Sequence, residues 1–293
     1  MNKFILGILL LPFVFSCEGK REATPTYLHI EEIGFNYDNI STLGNGGTAI
    51  TDAWVYNNDN LLGVFELPAT IAITAEGAQS VTIRGGIKLN GISATREFYA
   101  YYQPWNSDIE LSPLDTTTIE PVVRYWTNTG ISFYESFEDA VLKIDTSTVS
   151  DVGIDRTKVE NEPDYIDRYV GKVVMTSSEP GFKAYNKSLF QVPTESGTPI
   201  YLEIDYKCNQ EFTVGALVQE PGLGITESRI ITLRSTADEE GVLQWKHVYV
   251  DLTDYFLGKE TASGFGFSFT AYYTSENPEG LIYLDNVKVV NAQ

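Results

Sequence analysis

The chain reads as all-β: two β-sandwich domains, the second a jelly roll, behind a cleaved signal peptide. Three observations predict the folded part. Helical periodicity is missing after residue 26. Strand formers are abundant, with 18 Tyr and 15 Phe in 293 residues. Turn residues recur at about every 8–12 positions, the spacing of short sandwich strands.

Residues 1–16 read as the signal peptide. Lys3 supplies the positive n-region, and Phe4 to Phe15 is an apolar run. That run is shorter than the roughly 20 residues needed to span a bilayer and fits the h-region of a cleaved signal. It closes in Val14-Phe15-Ser16-Cys17. A small residue directly before a cysteine at this place resembles the lipobox of bacterial lipoproteins. The resemblance implies that Cys17 is acylated and becomes the first residue of the mature chain. Phe15 departs from the small residue usual there. The alternative is an ordinary secretory signal with an incidental cysteine. Residues 17–26 are the lipidated cysteine and a polar, flexible tether, whose nine residues after Cys17 reach about 30 Å when extended. Two or three acyl chains hold a membrane firmly where one does not. The expected location is therefore the cell envelope, lipid-anchored at the outer membrane, facing the periplasm or the surface.

The first domain spans 27–126. Its expected strands are Tyr27–Phe35, Ala49–Tyr56, Leu61–Glu66, Thr70–Thr74, Ser80–Ile83, Glu97–Tyr102 and Pro121–Trp126. Asn57-Asn-Asp-Asn60 lies between two apolar runs and reads as a hairpin turn, because Asn and Asp tolerate positive φ. The stretch Leu62-Gly-Val-Phe-Glu-Leu-Pro68 with Ala78–Ile83 resembles the small Ig-like sandwiches of surface lipoproteins, which implies a spacer or interaction module.

Thr127-Asn-Thr-Gly130 is a polar boundary. The second domain, 131–293, carries ten expected strands: Ile131–Phe137, Val141–Ile144, Gly171–Thr176, Lys183–Phe190, Ile200–Lys207, Phe212–Gln219, Arg229–Arg234, Trp245–Leu252, Phe265–Tyr273 and Leu281–Val289. This number suits a two-sheet jelly roll. In Phe265–Tyr273 the phenyls 265, 267 and 269 alternate with Gly266, Ser268 and Thr270, so the phenyl face belongs to the core. Phe133-Tyr-Glu-Ser-Phe-Glu-Asp139, Trp245-Lys-His-Val-Tyr-Val-Asp-Leu-Thr-Asp254 and Ile282-Tyr-Leu-Asp-Asn-Val-Lys-Val289 together resemble jelly-roll modules of the galactose-binding-like and carbohydrate-binding kind. That resemblance implies glycan binding and one structural Ca²⁺ shared by Glu138 and Asp285. The plain alternative for these two acids is capping of strand ends.

A formal charge of −20, with 40 acidic and 20 basic side chains, repels phosphate backbones and excludes nucleic acid as a partner. The only cysteines are Cys17 and Cys208. A lipidated Cys17 leaves no disulfide and no cysteine zinc site. Cys208 reads as a small half-buried strand residue.

Candidate ligand-binding residues come from two places. Tyr102 and Trp105 belong to Tyr99-Ala-Tyr-Tyr-Gln-Pro-Trp105, read as a strand end running into an exposed aromatic loop that stacks on sugars. Tyr185, Asn186, Tyr206, Gln219 and Arg234 are candidates for one sheet face of the second domain. Enzymatic readings fare worse. Glu203-Ile-Asp205-Tyr-Lys-Cys208 matches the first two acids of a Glu-x-Asp-x-x-Glu glycosidase strand, but a cysteine stands in place of the third. A glycosidase needs two positioned carboxyl groups. Glu203, Asp205 and Lys207 are then one solvated strand face. His29 and His247 stand apart in sequence, no nucleophile or phosphate motif appears, and Gly44-Asn-Gly-Gly47 reads as a turn.

The leading expectation is a non-enzymatic cell-envelope lipoprotein whose jelly roll binds a glycan. One alternative is a structural or adhesion subunit that binds envelope proteins. A weaker one is a degenerate or unrecognised glycoside hydrolase.

Overall fold

The computed structural model describes residues 24–37, 47–159, 168–195, 197–274 and 277–293. The signal segment and Cys17 lie outside the described residues. The fold is nearly all β, in packed sheets, as expected.

In the first module β1 (Thr26–Ile30) lies between β10 (Thr116–Ile119), parallel, and β5 (Ala69–Ile73), antiparallel. β11 (Val122–Tyr125) joins β2 (Gly34–Phe35) and β8 (Tyr102–Gln103). A third sheet runs β4 (Asn60–Glu66), β3 (Asp52–Asn57), β6 (Gly77–Lys88), β7 (Arg96–Phe98), with β9 (Trp105–Leu111) also on β6. Alternation decides what each strand buries: β5 reads buried–exposed throughout, placing Ala69, Ile71 and Ile73 inside. The β3–β4 turn is the expected hairpin, with Asn58 and Asp59 at φ 47° and 63°. Both central residues at positive φ match a two-residue primed turn. Thr26, placed at the end of the tether from sequence, opens β1 instead and is fully buried. β9 and β10 were not anticipated; Asn, Asp, Glu and Thr on their exposed faces mask the strand pattern.

The second module is two facing sheets. The six-stranded sheet orders β14 (Asp155–Lys158), β15 (Tyr169–Met175), β22 (Gly280–Ala292), β17 (Tyr201–Cys208) and β20 (Lys246–Asp251), with β12 (Thr129–Glu135) on the C-terminal half of β22. The five-stranded sheet orders β13 (Ile144–Thr146), β16 (Gly181–Asn186), β21 (Gly264–Tyr272), β18 (Phe212–Glu220) and β19 (Gly224–Leu233). One short helix, α1 (Thr253–Phe256), follows β20. Phe265, Phe267 and Phe269 fill the space between the sheets with Phe182, Phe212 and Phe133. The expected phenyl face is thus the core. At Gly171 of β15 an added Cβ would lie 2.4 Å from the buried Phe137 ring, so only glycine lets that ring close the sandwich end.

The two modules share a core. Tyr201, Tyr249 and Val290, on the outer face of the six-stranded sheet, belong to the first module's apolar cluster with Tyr99, Tyr102 and Tyr125. The strand end at Leu89 bridges to Tyr249, and the Asn90 amide donates to the Tyr249 carbonyl at 2.8 Å. The first module therefore covers part of the free edge of β20 and the sheet face beside it.

Candidate functional site

The open face of the five-stranded sheet carries a groove. On β16, Phe182 and Ala184 point into the core, so Lys183 and Tyr185 point out. Register then sets the row. Tyr185 pairs with Ser268, Ser268 with Gly215, and Gly215 with Arg229. The next row reads Gly266, Leu217, Glu227. The middle of the face is therefore built from Gly215, Gly266 and Ser268. A side chain at Gly215 would meet the Ser268 hydroxyl at 2.5 Å, and one at Gly266 would meet the Asn186 amide at 2.5 Å. The two glycines make room for these neighbouring side chains, and beside them lies a trough of about 380 Å³ lined by Ser268, Tyr185, Leu189, Leu217 and Ile225. Ile225 is 57% exposed.

One polar network crosses the trough. Lys183 pairs with Glu227 Oε2 at 2.5 Å, and the Ser268 hydroxyl donates to Glu227 Oε1 at 2.6 Å. Partial burial pushes the Glu227 carboxyl up, but Lys183 and Ser268 outweigh it and hold the pKa below the ordinary value. Glu227 is therefore an anionic acceptor and no proton donor. It is the only carboxylate among the described groove residues. The two-carboxylate glycosidase mechanism needs a second.

The sequence candidates separate into three places. Tyr185 and Asn186 meet in the groove, although the Asn186 amide is engaged with the Phe267 N–H and the Ser188 carbonyl. Gln219 lies on the same sheet, opposite Gly264. Tyr206 and Arg234 line a separate cleft between the modules. Tyr102 and Trp105 do not form an exposed loop. Tyr102 is 5% exposed with its hydroxyl 2.9 Å from that of Tyr249, and Trp105 opens β9 against the first core. Leu217, Glu227 and Ser268 were missed, since single residues on a strand's outer face carry no signal without register.

The acids of β17 are a correction. Glu203 and Asp205 are 0% and 4% exposed, not solvated. Glu203 lies 3.1 Å from Lys288 and 3.5 Å from His247, and accepts hydrogen bonds from the Tyr99 and Tyr125 hydroxyls. Asp205 contacts His247 Nδ1 at 2.6 Å and accepts from the Gly47 amide at 2.9 Å. The strand's polar face meets the first module where it was expected to meet water. Lys207, lower on the same face, lies over the rings of Trp245 and Tyr283. Cys208 is fully buried, and burial pushes its thiol up to about 12, so it is inert.

Glu138 Oε1 accepts the amides of Arg168 and Tyr169 at 2.6 and 2.9 Å. Asp285 accepts the Asn286 amide at 2.7 Å and pairs in register with Asp205. Among the described residues no group of three or more His, Cys, Asp or Glu is placed to hold a metal. These donors alone do not compose the six to eight oxygens that calcium takes.

No family model matches the chain, and no curated protein matches it. Among solved structures it is similar to a family 22 carbohydrate-binding module from the C-terminal part of Clostridium thermocellum Xyn10B, at 13% identity and TM-score 0.38, over 57% of this chain and 97% of that one. It is similar to the N-terminal module and catalytic domain of the same xylanase at 15% identity and TM-score 0.38, over 56% of this chain but only 28% of that one. Carbohydrate-binding modules of a β-sandwich superfamily match at 15% identity and TM-score 0.37, over 91% of this chain and 98% of theirs. No functional property is carried over from these likenesses.

Proposed function

We propose that the protein is a non-catalytic glycan-binding protein of the cell envelope, and that the saccharide lies in the groove of the five-stranded sheet. The trough lined by Tyr185, Leu217 and Ser268 carries this reading. It is a concave, largely apolar channel with one aromatic wall at Tyr185 and a fixed Lys183–Glu227 pair. Such a mix of apolar surface and a few oriented polar groups is what small-ligand sites share. A tyrosine ring offers an apolar face with a polar tip to a sugar ring. Attachment through acylated Cys17 is part of the proposal. A Cys17→Ser variant released from membranes supports it, and one retained after washing contradicts it.

A glycan array probed with the full chain tests the groove. Binding to at least one saccharide class, reduced about tenfold in Tyr185→Ala, is the expected result. No saccharide bound, or binding indifferent to Tyr185→Ala, overturns the reading.

A second reading, binding of a protein partner, is favoured by β4. It is the edge strand of its sheet and exposes Leu61, Leu62 and Val64. An exposed apolar edge is a template for strand addition.

A further inference from the structure

The second cleft lies between the modules and has a different chemistry. It measures about 970 Å³, at the upper end of the roughly 300–1,000 Å³ of small-molecule sites. The first module supplies Thr48, Lys88 and Asn90, and the second supplies Arg234, Trp245 and Lys246. Both sides are held in place by the shared core and by the Asn90 contacts to Tyr249 and Asp251.

The charge pattern runs against composition. The chain has twice as many acidic as basic side chains. Yet the described lining of this cleft contains Lys88, Arg234 and Lys246 and no carboxylate. Lys88 is neutralised by Glu66 at 3.1 Å. Arg234 and Lys246 are exposed and form no ion pair among the described residues. Without a compensating carboxylate among the described residues, these two cations make a positive focus in a negative protein, which draws an anion in. Arginine's planar fork matches a carboxylate in two bonds, and lysine adds a point charge. Trp245 forms part of the same wall, with Lys207 over its ring at 5.2 Å.

We infer that the inter-module cleft is a second saccharide site, selective for a carboxylate-bearing sugar such as a uronic acid unit. The sugar ring stacks on Trp245, its carboxylate pairs with Arg234 and Lys246, and its hydroxyls face Thr48 and Asn90. Both modules contribute, so occupancy bridges them. The inference is independent of the groove at Tyr185.

Titration calorimetry of the full chain with trigalacturonate, a neutral trigalactose and sodium acetate separates the sources of binding. Trigalacturonate is expected to bind about tenfold more tightly than trigalactose, as one charge-assisted contact implies. Arg234→Gln with Lys246→Gln should remove that preference and its salt dependence. Both side chains are exposed, so the variants keep the fold, and an unchanged melting temperature without ligand verifies this. Trp245→Ala should weaken both sugars. Equal affinity for the acidic and neutral sugars overturns the inference. So does a double variant with intact preference, or acetate alone competing as well as trigalacturonate, which marks a simple anion site.

Discussion

Glu203 and Lys288 face each other on adjacent strands of the second module, 3.1 Å apart, and Tyr125 of the first module closes over both. The Tyr125 hydroxyl donates to Glu203 at 2.9 Å and accepts from Lys288 at 2.9 Å. A charge pair out of water needs every remaining lone pair and proton met. Here the partners that meet them come from the other module. Lys288→Met leaves Glu203 buried and uncompensated and should cost about 3–5 kcal/mol in chemical denaturation. The paired change Glu203→Leu with Lys288→Met should recover much of that loss.

The same cluster sets a pH window. Burial pushes the Glu203 carboxyl up, but Lys288, His247 and Tyr99 overcome it and hold the pKa at about 2, below its ordinary 4.5. A depressed acid contributes stability above its unfolded pKa and loses it as pH falls, so that contribution declines below 4.5 toward 2. His247 is opposite in sign. Burial lowers its pKa, but Asp205 and Glu203 raise it above 6.5 overall. Its contribution is complete below 6.5 and is lost as pH rises through the higher folded value. Melting temperature against pH should therefore be highest between about 4.5 and 6.5 and fall on both sides. In His247→Gln the alkaline decline should flatten while the acid one remains.

The shared core predicts one cooperative unfolding transition for both modules. Tyr249 is 1% exposed and touches the first module through its ring, its hydroxyl and its backbone. Tyr249→Ala should cost about 3–5 kcal/mol, like other large-to-small core changes. It should also split the calorimetric peak into two. A single peak in the variant would show that the modules are coupled elsewhere.

Gly171→Ala gives a narrower test of packing. Its added methyl meets the fully buried Phe137 ring at 2.4 Å and the Ile154 side chain at 2.7 Å. A loss of about 1–3 kcal/mol is expected, with an unchanged denaturant slope.

Alternation made much of the fold legible. Phe265, Phe267 and Phe269 announce a core face because every second position is Gly, Ser or Thr. Asn58-Asp59 announces its turn through two residues tolerant of positive φ. The same alternation misled at Glu203, Asp205 and Lys207. A strand with one polar face reads alike whether that face meets water or another module, and Tyr99 and Tyr125 lie 104 and 78 residues from Glu203. Tyr99–Trp105 misled for the same reason. Its rings fill the junction, which local sequence does not encode. At the groove, Tyr185 was legible as an outward aromatic, but Gly215, Gly266 and Ser268 acquire meaning only when register aligns them.

The most direct test is amide chemical-shift mapping of the full chain during titration with an array-selected saccharide. The account predicts saturable shifts at Gly215, Gly266, Ser268 and Tyr185, with β4 unmoved. Shifts confined to Leu61–Val64, or no saturable shift on the five-stranded sheet, would contradict it.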